Sequence, residues 1–217
     1  MQSRVTNEQF AVGAVILAAG ASRRMGKPKL LLPWEQTSVL GHLLGQCRWL
    51  RVRQIAVVCA ASAEPVDQEL DRLGFPKTYR ITNPAPDRGM FSSIGCAANW
   101  GGWNAELTHW LLMLGDQPHL RFETLETLLD FGAAKPDKIS QPIRNGHRKH
   151  PVLLPKKFFV ELRNCRQGNL KEFLKIHSSE LAGFESDDSG LDLDMDTPED
   201  YEQLRRFYFG ETKSTSP

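Results

Sequence analysis

The chain predicts an α/β fold: one domain, three layers, Rossmann-like, built on a mostly parallel sheet with an added antiparallel hairpin. Three observations carry that expectation. Short apolar runs recur at Ala14 to Ala18, Gln54 to Cys59 and Trp110 to Leu114, with a shorter strand signal at Tyr79 to Thr82, each with the length of a strand. Segments with helical spacing of apolar residues lie between them, which implies crossover connections and a sheet covered on both faces. No repeat, linker or low-complexity stretch divides the 217 residues, enough for one substantial core.

The elements follow in order. Ala14 to Ala18 is the first buried strand. Ser38 to about Leu50 reads as a helix with Leu40, Leu43, Leu44 and Cys47 on its apolar face. The strand Gln54 to Cys59 leads to a helix from Glu64 to Leu73, which has Pro65 in its first turn and Gly74 past its end. Tyr79 to Thr82 is a short strand, and residues 89–100 form a glycine-led turn into a helix. Trp110 to Leu114 is apolar throughout, so it belongs in the middle of the sheet. Phe122 to Phe131 reads as a helix. Ile139 to Leu154 reads as a β-hairpin, because Asn145-Gly146 is a strong two-residue turn signal. Helices are expected near 156–163 and 169–177. The alternation in LDLDMD, residues 191–196, predicts an edge strand with Asp192, Asp194 and Asp196 on one face. Thr197 then reads as the N-cap of a last helix, with Pro198 at its first position. The domain is expected over 11–209, with frayed tails at 1–10 and 210–217.

Composition narrows the function classes. Hydrophobic residues make up 41% and charged residues 24%, and the net charge is +1, so no general attraction to nucleic acid or to an anionic membrane is expected. Met1 to Phe10 lacks an apolar signal core, and no run is long enough to span a bilayer. Cys47, Cys59, Cys96 and Cys165 are widely spaced with no C-x-x-C. They read as reduced thiols of a cytoplasmic protein, and a zinc site is not expected. His42, His109, His119 and His177 lack partners at ligand spacing and read as structural. Trp100, Trp103 and Trp110 read as core or interface, since no basic stripe interleaves them.

The densest functional signal is LAAGASRRMGKPK, residues 17–29. A buried strand ends there in a loop bracketed by Gly20 and Gly26 that carries Arg23, Arg24, Lys27 and Lys29. Backbone N–H groups at a strand-end turn, together with cations, suit a polyphosphate; an ordinary basic surface loop has the same composition. It is neither a Walker loop nor a dinucleotide fingerprint: Pro28 stands where a Walker loop needs Ser or Thr, and Ser22 stands where the second fingerprint Gly belongs. Leu114-Gly115-Asp116-Gln117-Pro118 ends the fourth strand on the same sheet edge. Asp116 there is either a turn residue or a Mg²⁺ ligand. Asp196, at the junction with the last helix, is the best metal candidate of the acidic run. The Gly89 to Ser93 turn offers either a plain serine cap or free N–H groups for a ligand. Residues 144–151, RNGHRKHP, form a basic cluster that is either a solvated hairpin tip or a phosphate clamp.

The loop resembles the signature L-A-[AG]-G-x-S-x-R-M-G-x-x-K of nucleotidyltransferases that act on molybdenum cofactor. Leu17, Ala18, Ala19, Gly20, Ser22, Arg24, Met25, Gly26 and Lys29 all match. Three later segments are similar in order: G-M-F-S-S at 89–93, G-D-Q-P at 115–118 and D-M-D-T-P-E-D at 194–200. His150-Pro151-Val152-Leu153 resembles the family's G-H-P-V-L, although Lys149 replaces its Gly. The later G-D-x-G-x-[RK] segment is poorly matched at 167–171. The resemblance implies transfer of a cytidylyl group from CTP to a molybdopterin-type substrate, with release of pyrophosphate. It implies Mg²⁺ as cofactor, held by Asp116 and Asp196 with Asp194 as the stand-in for Asp196, and catalytic roles for Arg24, Lys29 and Asp116. The nucleotide would be bound by Leu17, Ala18, Ala19, Gly20, Ser22, Arg24, Lys29, Asn83, Gly89, Ser92 and Ser93, and the acceptor by Arg144 and His150. Ala19 favours CTP, since guanylyl members read L-A-G-G. A molybdoenzyme or its chaperone is the expected partner. The alternatives are GTP, another small phosphate or alcohol acceptor, or a nucleotide-binding accessory protein without turnover.

Overall fold

The computed structural model describes residues 10–165 and 168–210. The rest of both expected tails, and Gln167 of the poorly matched segment, lie outside the described residues. In chain order the elements are β1 (Val12–Ala18), β2 (Pro33–Trp34), β3 (Thr37–Ser38), α1 (Val39–Trp49), β4 (Gln54–Ala60), α2 (Glu64–Arg72), β5 (Arg80–Asn83) and α3 (Met90–Asn99). They continue with β6 (His109–Leu114), α4 (Phe122–Ala134), β7 (Ile139–Arg144), β8 (His147–Arg148), β9 (Val152–Pro155), α5 (Lys156–Glu161), α6 (Leu170–Ile176), β10 (Leu181–Glu185) and α7 (Pro198–Phe209).

The main sheet has the order β10-β7-β9-β6-β1-β4-β5, with β8 paired to β7. β1 lies between β4 and β6 and is parallel to both. Side chains alternate across it: Ala14, Ile16 and Ala18 enter the core under α1, α2, α4 and α7, while Val15 and Leu17 enter the core under α3, α5 and α6. A strand buried on both faces has no polar side to show, which is why β1, β4 and β6 read as continuous apolar runs. β9 is antiparallel to both β6 and β7, so the expected hairpin is present but wider than a simple one. Its tight part is β7–β8, where Asn145 and Gly146 take φ of 51° and 74°, as a two-residue turn between twisted strands requires. Trp110 stacks on Phe159 with ring centroids 4.4 Å apart and lies in the core, as expected.

One expectation needs correction. Residues 191–196 are not a strand: Ser189–Asp192 is a single 3₁₀ turn, and the segment after it pairs with no strand. The turn forms because Asp188 accepts from the Gly190 N–H at 2.9 Å, and an Asp that caps locally competes with sheet pairing. The edge position is taken by β10, parallel to β7. The alternation of LDLDMD reflects packing alone, since Leu191 and Met195 are buried. Asp192 of this segment is held by two cations. It pairs with Arg144 at 2.9 Å and Lys149 at 2.7 Å, and these cations hold its carboxyl below the usual range.

At the chain's ends Phe10 packs on the His109 ring, and Gly210, at φ 65°, caps α7. No helix among the described residues is long and apolar enough to cross a membrane.

Candidate active site

Leu17 of β1 pairs with Leu114 of β6, so the 19–28 loop and the 115–121 loop leave the sheet side by side at the carboxyl ends of their strands. Such crevices take ligands in open α/β sheets. Gly115 permits the approach: a Cβ there would stand 2.7 Å from the Leu17 carbonyl oxygen. The 19–28 loop is pinned from within. Met25 is buried, its N–H donates to the Ser22 carbonyl at 3.1 Å, and the Lys29 N–H donates to Ser22 Oγ at 3.1 Å. Ser22 and Gly26 both take positive φ, 49° and 71°. Anchoring Met25 turns Arg23, Arg24 and Lys27 outward.

Lys29 is the centre of the site. Its Nζ donates to Asp116 Oδ2 at 2.7 Å and to the Met195 carbonyl at 3.3 Å, and lies 3.5 Å from Asp196 Oδ1. Arg24 Nη2 pairs with Asp196 Oδ2 at 2.8 Å. Asp196 itself is placed by the first turn of α7. Thr197 and Asp200 form a capping box, and Asp200 Oδ2 also accepts from the Asp196 N–H at 3.3 Å. The other oxygen of Asp116, Oδ1, is buried with no protein partner. Two carboxylates and two cations from three separate segments therefore meet at one point.

A cavity of about 390 Å³ opens beside them. Of the residues expected at the nucleotide, Leu17, Ala18, Ala19, Gly20, Lys29, Gly89 and Ser93 line it, together with Asp116. The others serve differently. Ser22 holds the loop backbone. Asn83 is buried, and its amide donates to Ser92 Oγ at 2.8 Å and Ser93 Oγ at 2.9 Å while accepting from the Ala85 N–H at 2.9 Å. Ser92 Oγ donates back to the Gly89 carbonyl. Asn83 and Ser92 thus build the turn that presents Gly89 and Ser93, with Gly89 at φ 84°. Arg24 sits at the rim, paired with Asp196.

Arg23 was expected only as one of the loop cations, and sequence reasoning missed its partner Asp87; both line the cavity and pair at 2.8 Å. Nothing in the sequence relates two residues so far apart in the chain. Of the expected acceptor residues, Arg144 is bound to Asp192 and does not line this cavity. His150 comes two residues before β9, the antiparallel neighbour of β6, and lies close enough to Asp116 to feel its charge. Among the described residues no three His, Cys, Asp or Glu side chains cluster at metal-binding distance, and none of the four cysteines forms a disulfide.

The sequence profile of the MobA-like NTP transferase domain matches residues 14–182. The chain belongs to this family. As a member of it, the protein is a nucleotidyltransferase. It is 26% identical over 199 residues to the molybdenum cofactor cytidylyltransferase of Escherichia coli, covering 91% of this chain and 97% of that one. It is 27% identical over 203 residues to the purine catabolism protein PucB of Bacillus subtilis, covering 88% and 95%. Among solved structures, Rv0371c of Mycobacterium tuberculosis in complex with manganese superposes with a TM-score of 0.66 at 28% identity, covering 90% and 98%.

The histidines of this transferase give a pH prediction. Burial pushes the His150 imidazole down to about 4, with the Asp116 charge opposing, and its Nδ1 is buried without a partner. Burial also lowers His119 and His109. Between pH 6.5 and about 4 the unfolded chain therefore binds protons that the folded chain refuses, so stability is full above pH 6.5 and falls as acid is added. His150 alone contributes at most about 3 kcal/mol of that fall, because part of the residue still meets solvent. Denaturant melts of wild type and His150→Gln from pH 7 to 4 check this, and the variant should show the shallower slope.

Proposed function

We propose that the protein transfers the cytidylyl group of CTP to the terminal phosphate of a molybdopterin-type cofactor and releases pyrophosphate. The observation that carries the reading is Lys29 held between Asp116 and Asp196 at the edge of the strand-end cavity. The site is charged on both signs yet nearly self-neutralised, as expected of one that exchanges internal ion pairs for a triphosphate and its counter-ion. The molybdenum cofactor comes from the sequence motifs and from the name of the Escherichia coli relative, and CTP from Ala19 in the L-A-A-G turn.

In this mechanism the acceptor phosphate oxygen attacks the α-phosphorus of CTP. The new P–O bond forms as the bond to the β-phosphate oxygen breaks, and pyrophosphate leaves with that electron pair. No protein nucleophile is required, because the attacking phosphate is already ionised at neutral pH. Arg24 and Lys29 turn from Asp196 and Asp116 to the triphosphate oxygens, neutralising charge that grows on the leaving group. Backbone N–H groups of the 18–20 turn and the Gly89 turn orient the nucleotide. Neutral His150, on the β9 side of Asp116, faces the acceptor, and Arg144 lies further along that side.

A divalent cation fits the residues present. Asp116 and Asp196 are hard oxygen donors, Asp116 Oδ1 is buried and unpaired, and the Lys29 ammonium stands between them in the place of a cation. Two carboxylates without a third protein ligand suit Mg²⁺, which keeps waters and takes substrate phosphates. Bound there, Mg²⁺ would supply charge neutralisation and polarisation of the phosphoryl oxygens. The manganese complex of the mycobacterial relative is in keeping with this.

Calorimetric titration of CTP, GTP, ATP and UTP, each with Mg²⁺, tests the nucleotide. CTP is expected to bind tightest. Tighter GTP binding would replace the cytidylyl reading with the guanylyl one.

A further inference from the structure

The two carboxylates sit on loops that share no strand pairing. Asp116 lies in the loop after β6, and Asp196 lies just before α7. Two fully buried polar side chains, His119 and Asp188, join these loops, and the transfer chemistry uses neither. His119 Nε2 lies 3.0 Å from the Gly190 carbonyl oxygen and 3.1 Å from that of Leu193. Carbonyls only accept, so Nε2 carries the proton and donates to both. Asp188 Oδ2 accepts from the Arg121 N–H at 3.0 Å and from Thr124 Oγ1 at 2.8 Å, and its Oδ1 accepts from the Gly190 N–H at 2.9 Å. Gly190 is therefore held by its N–H and its carbonyl at once. A Cβ there would stand 2.9 Å from Asp188 Oδ1 and 3.1 Å from His119 Cδ2, so the junction closes only around glycine. Gln117 Nε2 adds a long contact to Asp194 Oδ1 at 3.5 Å.

We propose that His119 and Asp188 are positioning residues that fix the distance between Asp116 and Asp196, so that one divalent cation meets both carboxylates. His119 is three residues beyond Asp116 and binds the carbonyl three residues before Asp196. A cross-link this close leaves each carboxylate only a short tether along which to drift. This inference rests on the metal-assisted reading above and adds to it the residues that set the metal geometry. Side chains that orient metal ligands without touching the ion typically change metal affinity about 10- to 100-fold when removed.

The test is Mn²⁺ binding by electron paramagnetic resonance in the presence of CTP, with the melting temperature measured beside it. His119→Leu is expected to weaken Mn²⁺ by about tenfold or more. His119→Gln keeps a side-chain N–H for one carbonyl and is expected to stay within about threefold of wild type. CTP affinity in EDTA should change little in either, because Arg24 and the 18–20 backbone are untouched. Asp188→Asn keeps the volume but loses an acceptor, and should weaken Mn²⁺ in the same direction; it carries the test if His119→Leu does not fold. A merely structural role would lower the melting temperature and leave Mn²⁺ affinity unmoved. Folded variants that bind Mn²⁺ like a wild type that itself binds it overturn this proposal alone. A wild type that binds no Mn²⁺ with CTP present overturns both this proposal and the metal-assisted reading.

Discussion

Asp116→Asn abolishes turnover, by about 10³-fold or more, while the fold and most CTP affinity remain. Asn is nearly isosteric and still offers Oδ1 as an acceptor, so Lys29 keeps a partner and β6 keeps its packing. What disappears is the negative charge that a hard divalent cation requires. The nucleotide is still held by Arg24, Lys29 and backbone donors, so ground-state binding survives. Transition-state charge is left uncompensated, and each 1.4 kcal/mol of lost stabilisation is a factor of about ten in rate. Asp196→Asn acts in the same direction and less severely, because Asp196 is the more exposed of the two and is shared with Arg24. Asp192→Asn leaves turnover near wild type, since its carboxylate ties Arg144 and Lys149 and stands outside the Lys29 cluster. Pyrophosphate release against Mg²⁺ concentration for the three variants is the measurement. A wild-type rate and Mg²⁺ dependence in Asp116→Asn would remove the mechanism.

Lys29→Met has a double signature. One charge-assisted phosphate contact is lost, which costs about 1.5–3 kcal/mol and so weakens CTP about ten- to a hundred-fold. The same change withdraws the ammonium that stands 2.7 Å from Asp116 and 3.5 Å from Asp196. Asp116 is then left without its counter-charge and Asp196 keeps only Arg24, so the variant takes up Mn²⁺ without nucleotide more readily than wild type does. Arg24→Ala shares the first effect and only part of the second. Lys27→Ala shows neither, since Lys27 is exposed at a variable position of the loop. Calorimetry of CTP and of Mn²⁺, each alone, separates the two effects. Equal losses at Lys27 and Lys29 would show that the loop register is wrong.

What could be read in the sequence follows from what was local. β1, β4 and β6 are buried on both faces, so their apolar runs show without alternation. Ser38 and Thr197 sit where the helix starts were expected because their side chains cap an N–H three residues on, and Gly89 does because its positive φ leads the turn into α3. β10 was invisible, because LAGFE is a half-buried edge strand with neither a long apolar run nor clean alternation. The acidic run misled for the converse reason: its alternation comes from a capped turn and a buried Leu191 and Met195. In the site, the loop cations and Asp116 were legible because strand ends mark the ligand edge. The Arg23–Asp87 pair and the His119–Asp188 junction were not. They join residues 64 to 74 positions apart in the chain, and only the folded sheet brings those together. Asn83 and Ser92 were placed in the right turn but hold it from behind, a distinction that needs the direction of a side-chain amide.

The most direct test of the account is pyrophosphate release by wild-type protein given Mg²⁺, molybdenum cofactor and one nucleotide at a time. The account predicts release with CTP, much less with GTP, ATP or UTP, and none when the cofactor is left out. Binding of CTP with no release in the presence of cofactor would contradict it and leave a nucleotide-binding protein without this turnover.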